Sequence, residues 1–299
     1  MIAGWLLGGI AVLGVIANRR RIARQADSEY RQRHTFSSDG IALGAEGFVL
    51  SGTSGSGVLL VHGSGDSPQS LRFIAGRLNQ AGYSVMAPLL AGHGRSPRAF
   101  ARATADDYYD GVRVAFEQLA SENQSVSLVG LSMGGAIVAR LAAESVGVSS
   151  VVLLAPYLIV PPVIRRVAAL SWLWGMLTPY LAGRGEASVH DAQASLTSRA
   201  YGTFSPGALR ALTRTADAGF RALPKLTMSV LVINSDEDNR IPRELAEHAI
   251  AHIPAPIEER WVSGCGHVIT IDYCKDEVAR LVVSFLNRHR TPPRGNAMS

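Results

Sequence analysis

From residue 47 onward the chain alternates short runs that are apolar throughout with stretches whose apolar residues recur at helical spacing. This constrains the fold more than any other feature. The runs are "GVLLVHG" (57–63), "YSVMAP" (83–88), "VSLVG" (126–130), "SVVLLAP" (150–156) and "SVLVIN" (229–234), with a further strand around "ERWVSG" (259–264). A strand with one wet face alternates apolar and polar side chains. Runs that are apolar at nearly every position read as strands covered on both faces, which means a parallel sheet between helices. The helices fall in the intervals. Ser67-Pro68 offers an N-cap followed by proline at the first helical position, with Leu71, Ile74, Ala75 and Leu78 on one face. Thr104 opens a helix whose apolar face is Tyr108, Val112, Ala115, Phe116 and Leu119. Residues 133–145, 242–252 and 275–287 complete the series. The fold class expected is therefore α/β, a mostly parallel, doubly wound sheet over residues 41–290. Residues 157–205 break the rhythm, being helical in composition but interrupted by prolines and glycines. They read as a helical cap, because an insertion at the carboxyl edge of a parallel sheet sits where ligands bind.

The two ends differ from this domain in charge. Of the net +5, residues 1–35 supply six arginines against Asp27 and Glu29, and the stretch after Asn287 supplies three more arginines. The middle of the chain is left at −2. A nucleic-acid binder carries its positive charge on the folded domain, so that class is excluded. The first seventeen residues, "MIAGWLLGGIAVLGVIA", hold no charged side chain and are followed at once by "NRRRIAR". As a helix they would span about 25 Å, the short end of what crosses a bilayer. The reading is a transmembrane anchor at 1–17, a basic juxtamembrane linker at 18–40 and a flexible tail at 291–299. By the positive-inside rule this gives a single-pass inner (plasma) membrane protein with a cytoplasmic catalytic domain. A cleaved segment ending at Val15-Ile16-Ala17 stays open as the alternative.

The chemistry is carried by "SLVGLSMGGA", where Gly130-Leu131-Ser132-Met133-Gly134 joins a strand to a helix. Gly-x-Ser-x-Gly in that context is a nucleophile elbow, a strained turn that holds the serine oxygen out at a helix N-terminus. A base should follow the last strand, and "GCGHVI" places His267 in a glycine-flanked loop there. An acid should follow the strand before it. "VLVINSDEDNRIP" offers Asp236, Glu237 and Asp238, of which Asp238 is preferred because Ile-Pro restarts the chain just after it. The order Ser, Asp, His differs from that of other triad folds. Two backbone N–H groups should hold the oxyanion: that of Met133, after the nucleophile, and that of Ser64, in the loop "HGSGDSP". His62 and His93 are expected to brace these turns. No metal site is expected, since His248 and His252 lie four apart on a helix without a third ligand. Cys265 is read as a small packing residue with no redox partner, and two cysteines are too few for a disulfide framework.

These segments, with "LLVHGSGDSPQSLRFIAGRLNQAGYSVMAPLLAGHGRSP" and "GCGHVITID", resemble the α/β-hydrolase superfamily and, within it, the bacterial carboxylesterase and monoacylglycerol lipase branch. The resemblance covers residues 57–287. It departs at Ser64, where the branch often carries a larger apolar residue, and in the longer cap. It implies a cofactor-free serine esterase that works through an acyl-enzyme on small-molecule or lipid-derived esters. Trp172, Trp174, Met176 and Tyr180 of the cap are candidates for an apolar acyl pocket, or else the packing face of cap helices. A thioesterase, a small-peptide hydrolase, a C–C hydrolase and an anchored scaffold with a relic site are the rival readings.

Overall fold

The computed structural model describes residues 2–182, 188–197 and 200–290. The expected tail at 291–299, and residues 183–187 and 198–199 of the expected cap, lie outside them. The strands are β1 (Phe48–Leu50), β2 (Ser56–Val61), β3 (Ser84–Ala87), β4 (Ser125–Leu131), β5 (Val148–Leu154), β6 (Leu181–Ala182), β7 (Thr203–Phe204), β8 (Ser229–Ser235) and β9 (Ile257–Val262). Among the described residues seven of them form one sheet in the order β1-β3-β2-β4-β5-β8-β9. Only β1 runs antiparallel to its neighbour; every other adjacent pair is parallel.

Alternate residues of the central strands enter different cores, which is why the runs are apolar at every position. Leu59, Val61, Leu128, Val151, Leu153, Val230 and Val232 face one layer. That layer is built from α4 (Ala105–Glu122), α5 (Met133–Glu144) and α9 (Pro206–Ala222). Val58, Leu60, Val129, Leu131, Val152, Leu154, Leu231 and Ile233 face the other, covered by α2 (Arg72–Gln80) and α11 (Lys275–Arg288). Fully burying one such side chain contributes about 1.5–3 kcal/mol, so the sheet is the rigid frame of the molecule. Thr104 caps α4 as expected, within a reciprocal pair with Asp107.

The register aligns the strand ends. Val61 pairs with Gly130, Leu131 with Leu154, Leu154 with Ile233, and Ser235 with Val262. The loops leaving β2, β4, β8 and β9 therefore open along one edge. Between β5 and α9 the chain leaves the sheet to form α6 (Pro162–Ala169), α7 (Ser171–Leu177), the β6–β7 pair and α8 (Ala192–Thr197). Segments of this insertion cross the same edge. The Tyr201 hydroxyl accepts from the Arg95 amide at 3.2 Å and donates to Gly92 O at 3.1 Å.

The N-terminal reading is corrected. Residues 2–33 form one helix, α1 (Ile2–Arg33), with no break at residue 17. Among the described residues no helix is long and apolar enough to cross a membrane. An inner-membrane, single-pass protein is therefore not supported. Seventeen apolar residues span only about 25 Å, against a hydrocarbon core of roughly 30 Å, before the helix runs into charged residues. Its last turns instead dock on the domain. Tyr30 is fully buried, with its ring 4.8 Å from that of Tyr201, which stacks in turn on Phe100 of α3 (Pro97–Phe100). The remaining helix, α10 (Arg243–Ile250), links β8 to β9.

Candidate active site

Ser132 occupies the first turn after β4 with φ 54° and ψ −119°, a left-handed conformation that costs a side-chain-bearing residue on the order of 1–3 kcal/mol. The flanking glycines make it possible. A Cβ on Gly130 would lie 2.3 Å from Gly134 O, and one on Gly134 would lie 2.1 Å from Val61 O. The strained serine is held by its own backbone, Ser132 N donating to Leu154 O at 2.9 Å and Ser132 O accepting from Tyr157 N at 3.0 Å.

The structure brings the three side chains of the sequence reading together. His267 Nε2 lies 2.8 Å from Ser132 Oγ, and His267 Nδ1 lies 2.7 Å from Asp238 Oδ2. His267 and Asp238 have side chains only 9% and 5% exposed, so the pair is shielded from solvent. The other oxygen of Asp238 accepts from the amides of Arg240 and Ile241, at 2.7 and 3.0 Å. Burial pushes this carboxyl up, but His267 and the two amides outweigh it, and its pKa falls below the ordinary value. It stays charged and fixes the Nδ1–H tautomer that leaves Nε2 free to face the serine. Asp236 is spent elsewhere, on Arg243 at 2.9 Å and Ser263 at 2.8 Å.

Ser64 lies in the loop that follows β2. That loop passes close beside Ser132: a Cβ on Gly63 would sit 3.2 Å from Ser132 Cβ. Met133 is the first residue of α5, where an N–H has no intrahelical acceptor. His62 and His93 brace this region as the sequence suggests. The Leu90 amide donates to His62 Nε2 at 3.1 Å, so Nδ1 carries the proton and donates to Gly63 O at 2.9 Å. The Gly65 amide donates to His93 Nε2 at 3.0 Å, and His93 Nδ1 donates to Ala91 O at 3.0 Å. Both rings are fully buried. Burial drives both pKa values down, that of His93 to about 4, so each remains a neutral strut.

The cap candidates have different surroundings. Trp172 and Met176 are 65% and 54% exposed. The Trp174 indole donates to Val167 O at 2.9 Å inside the cap. Tyr180 lies near Asp27 and Arg98, with its hydroxyl pKa raised to about 12, mainly by burial.

Three features escaped the sequence reading. Cys265 is not a lone packing residue: it forms a disulfide with Cys274, closing the loop that carries His267. Asp66, in the loop of Ser64, accepts from Ser70 Oγ at 2.6 Å, and burial raises its pKa to about 6. Asp272 is a fully buried carboxylate six residues from Gly266 in sequence and hydrogen-bonded to its amide. The nearest signal was the short run from His267 to Asp272 between the two cysteines.

This fold, with a serine, a histidine and a carboxylate in line at the carboxyl edge of the sheet, defines a serine hydrolase of the α/β-hydrolase superfamily. The chain belongs to the family described as Serine aminopeptidase, S33, which matches residues 54–273. It is 28% identical over 234 residues to the thermostable monoacylglycerol lipase of Bacillus sp. (strain H-257), covering 78% of this chain and 91% of that one. It is 25% identical over 234 residues to a carboxylesterase of Bacillus subtilis (strain 168), covering 77% and 92%. A solved structure of the metagenome-derived lipolytic enzymes LipS and LipT superposes with a TM-score of 0.76 at 27% identity, covering 83% of this chain and all of that one.

Proposed function

We propose that the protein cleaves esters of apolar acyl chains through an acyl-enzyme, with Ser132 as nucleophile, His267 as base and Asp238 as the group that orients it. The 2.8 Å contact between His267 Nε2 and Ser132 Oγ carries this reading. As Ser132 Oγ attacks the ester carbonyl, its proton passes to His267 Nε2 and the carbonyl oxygen becomes an oxyanion. The amides of Ser64 and Met133 receive that charge, and each such donor is worth about 3–4 kcal/mol of barrier. The imidazolium, stabilised by Asp238, returns the proton to the departing alkoxide. Water then attacks the acyl carbon while His267 takes its proton; the bond to Ser132 Oγ breaks, His267 returns the proton to that oxygen, and the acid leaves.

The preference for apolar acyl chains rests on the relatives named as a monoacylglycerol lipase and a carboxylesterase. The test is hydrolysis of p-nitrophenyl esters from acetyl to palmitoyl by the full chain, beside Ser132→Ala. A medium- or long-chain optimum is expected, and a sharp optimum at acetyl would remove the apolar acyl pocket. The family's name gives one observation in favour of peptide hydrolysis. Amino-acid p-nitroanilides in the same assay decide it: turnover faster than that of every ester would displace the esterase reading.

A further inference from the structure

The loop that carries His267 is held from a side the triad does not explain. Asp272, fully buried, accepts four backbone N–H groups. Its Oδ2 takes those of Gly266 and His190, both at 2.8 Å, and its Oδ1 takes those of Asp191 and Tyr273, both at 2.9 Å. Burial alone would push this carboxyl up, but the four amides hold its pKa below the ordinary value, so the group is a buried anion neutralised by backbone dipoles. Gly266 immediately precedes His267, whereas His190 and Asp191 belong to the cap insertion. One carboxylate therefore joins the two.

The joint continues along the strap 188–191. Ser188 O accepts from Val268 N at 3.0 Å, so the strap bonds directly to the residue that follows His267. A Cβ on Gly266 would lie 2.7 Å from Ser188 O. Ser188 Oγ accepts from Arg240 Nε at 2.7 Å, and the Arg240 amide donates to Asp238. His190 Nδ1 lies 3.6 Å from Glu237 Oε2, and Glu237 Oε1 accepts from Gly264 N at 2.7 Å. The strap thus touches the loop of the acid and the loop of the base at once.

We propose that Asp272 is a positioning residue that locks the cap strap to the His267 loop, so that the placement of the cap sets the aim of the imidazole at Ser132. This rests on His267 being the base. Asp272 touches no reacting atom and acts only through the Gly266 amide and the strap. Asparagine at 272 keeps the shape, but turns an N–H₂ group towards amides that need an acceptor. The histidine is then free to drift, and a displacement near 1 Å costs up to about a hundredfold in rate.

The test uses the full chain and its Asp272→Asn and Ser188→Ala variants, with near-UV circular dichroism to establish folding. Two rates are read: kcat on p-nitrophenyl butyrate, and the rate at which the small phosphylating agent paraoxon inactivates the enzyme. Folded Asp272→Asn should lose between about tenfold and a hundredfold in both, with KM nearly unchanged. Ser188→Ala keeps the strap backbone, and should lose about threefold in both, on the same argument. A purely structural role would lower the melting temperature and leave both rates at wild-type values in the folded protein, and that result would overturn the proposal. If Asp272→Asn does not fold, Ser188→Ala decides alone, wild-type rates counting against the lock. A wild type that reacts with neither the ester nor paraoxon would instead refute the triad reading on which the lock rests.

Discussion

The loops along the carboxyl edge of the sheet and the α6–α7 face of the cap lie within one chain and are built on opposite terms. At the sheet edge the groups that brace the serine are buried and committed. Gly130 and Gly134 leave no room for a Cβ, His62 and His93 are neutral struts, and Asp238 has each oxygen occupied. The cap face instead leaves Val163, Leu170, Trp172, Leu173, Met176 and Leu177 between 46% and 67% exposed. The difference teaches where chemistry and selectivity can each be changed. A reaction centre needs atoms fixed to within about 0.5 Å, which only dense packing supplies. An exposed face can change without loss of that geometry.

The comparison is broken most severely at Asp238. Asp238→Asn keeps the contacts of the carboxylate but loses the charge that stabilises the imidazolium, and kcat on a p-nitrophenyl ester should fall by roughly four orders of magnitude. Retention of most activity would mean that Asp236 can serve instead. The paired change Cys265→Ser with Cys274→Ser opens the ring around His267. Closing a loop of this size contributes roughly 3 kcal/mol in the chain-entropy account. Urea denaturation should show a loss of that order, and an unchanged midpoint would mean that the loop is held by Asp272 and the strap alone.

On the cap side the same reasoning predicts little. Trp172→Ser with Met176→Ser should leave stability within about 0.5 kcal/mol, as for other exposed positions. Hydrolysis of p-nitrophenyl acetate should be unaltered. A large loss on that small ester would mean that the exposed face supports the triad after all. The smallest effect concerns Asp66. Its carboxyl, raised to about 6 when folded, binds more protons in the folded state than in the unfolded state between its ordinary value and pH 6. That contribution to stability is therefore lost as pH rises through this window. Asp66→Asn should gain stability relative to the wild type between pH 4 and pH 7, as read by denaturation at both values. No relative gain would mean that the group titrates normally.

The same contrast governs what can be read from residue order. β2, β4, β5 and β8 are legible because burial on both faces demands apolar side chains at every position. The elbow is legible because its strain demands glycine at fixed offsets. His267 and Asp238 follow from strand order along a sheet whose ends are in register. Other features depend on chain segments that meet only after folding. Cys265 and Cys274 are nine residues apart, and the turn between them brings their Cα atoms to 5.9 Å. Asp272 resembles any loop aspartate until the strap supplies two of its four donors. Tyr30 lies in a charged stretch that reads as a linker, and its burial depends on Tyr201, far along the chain. The apolar run before it is compatible with a membrane anchor by composition, but it is too short and is continued by a helix that docks on the domain. The exposure of Trp172 and Met176 is not legible for a related reason: aromatic and thioether side chains indicate apolar surface, not which side of a cap helix it faces.

The account rests on Ser132 as the nucleophile, and one experiment addresses that directly. A fluorophosphonate probe is added to the full chain, which is then digested, and the modified peptide is mapped by mass spectrometry. The predicted result is one stoichiometric adduct on Ser132, absent from Ser132→Ala and strongly slowed in His267→Ala. An adduct on another serine, or equal labelling of the wild type and Ser132→Ala, would contradict the account.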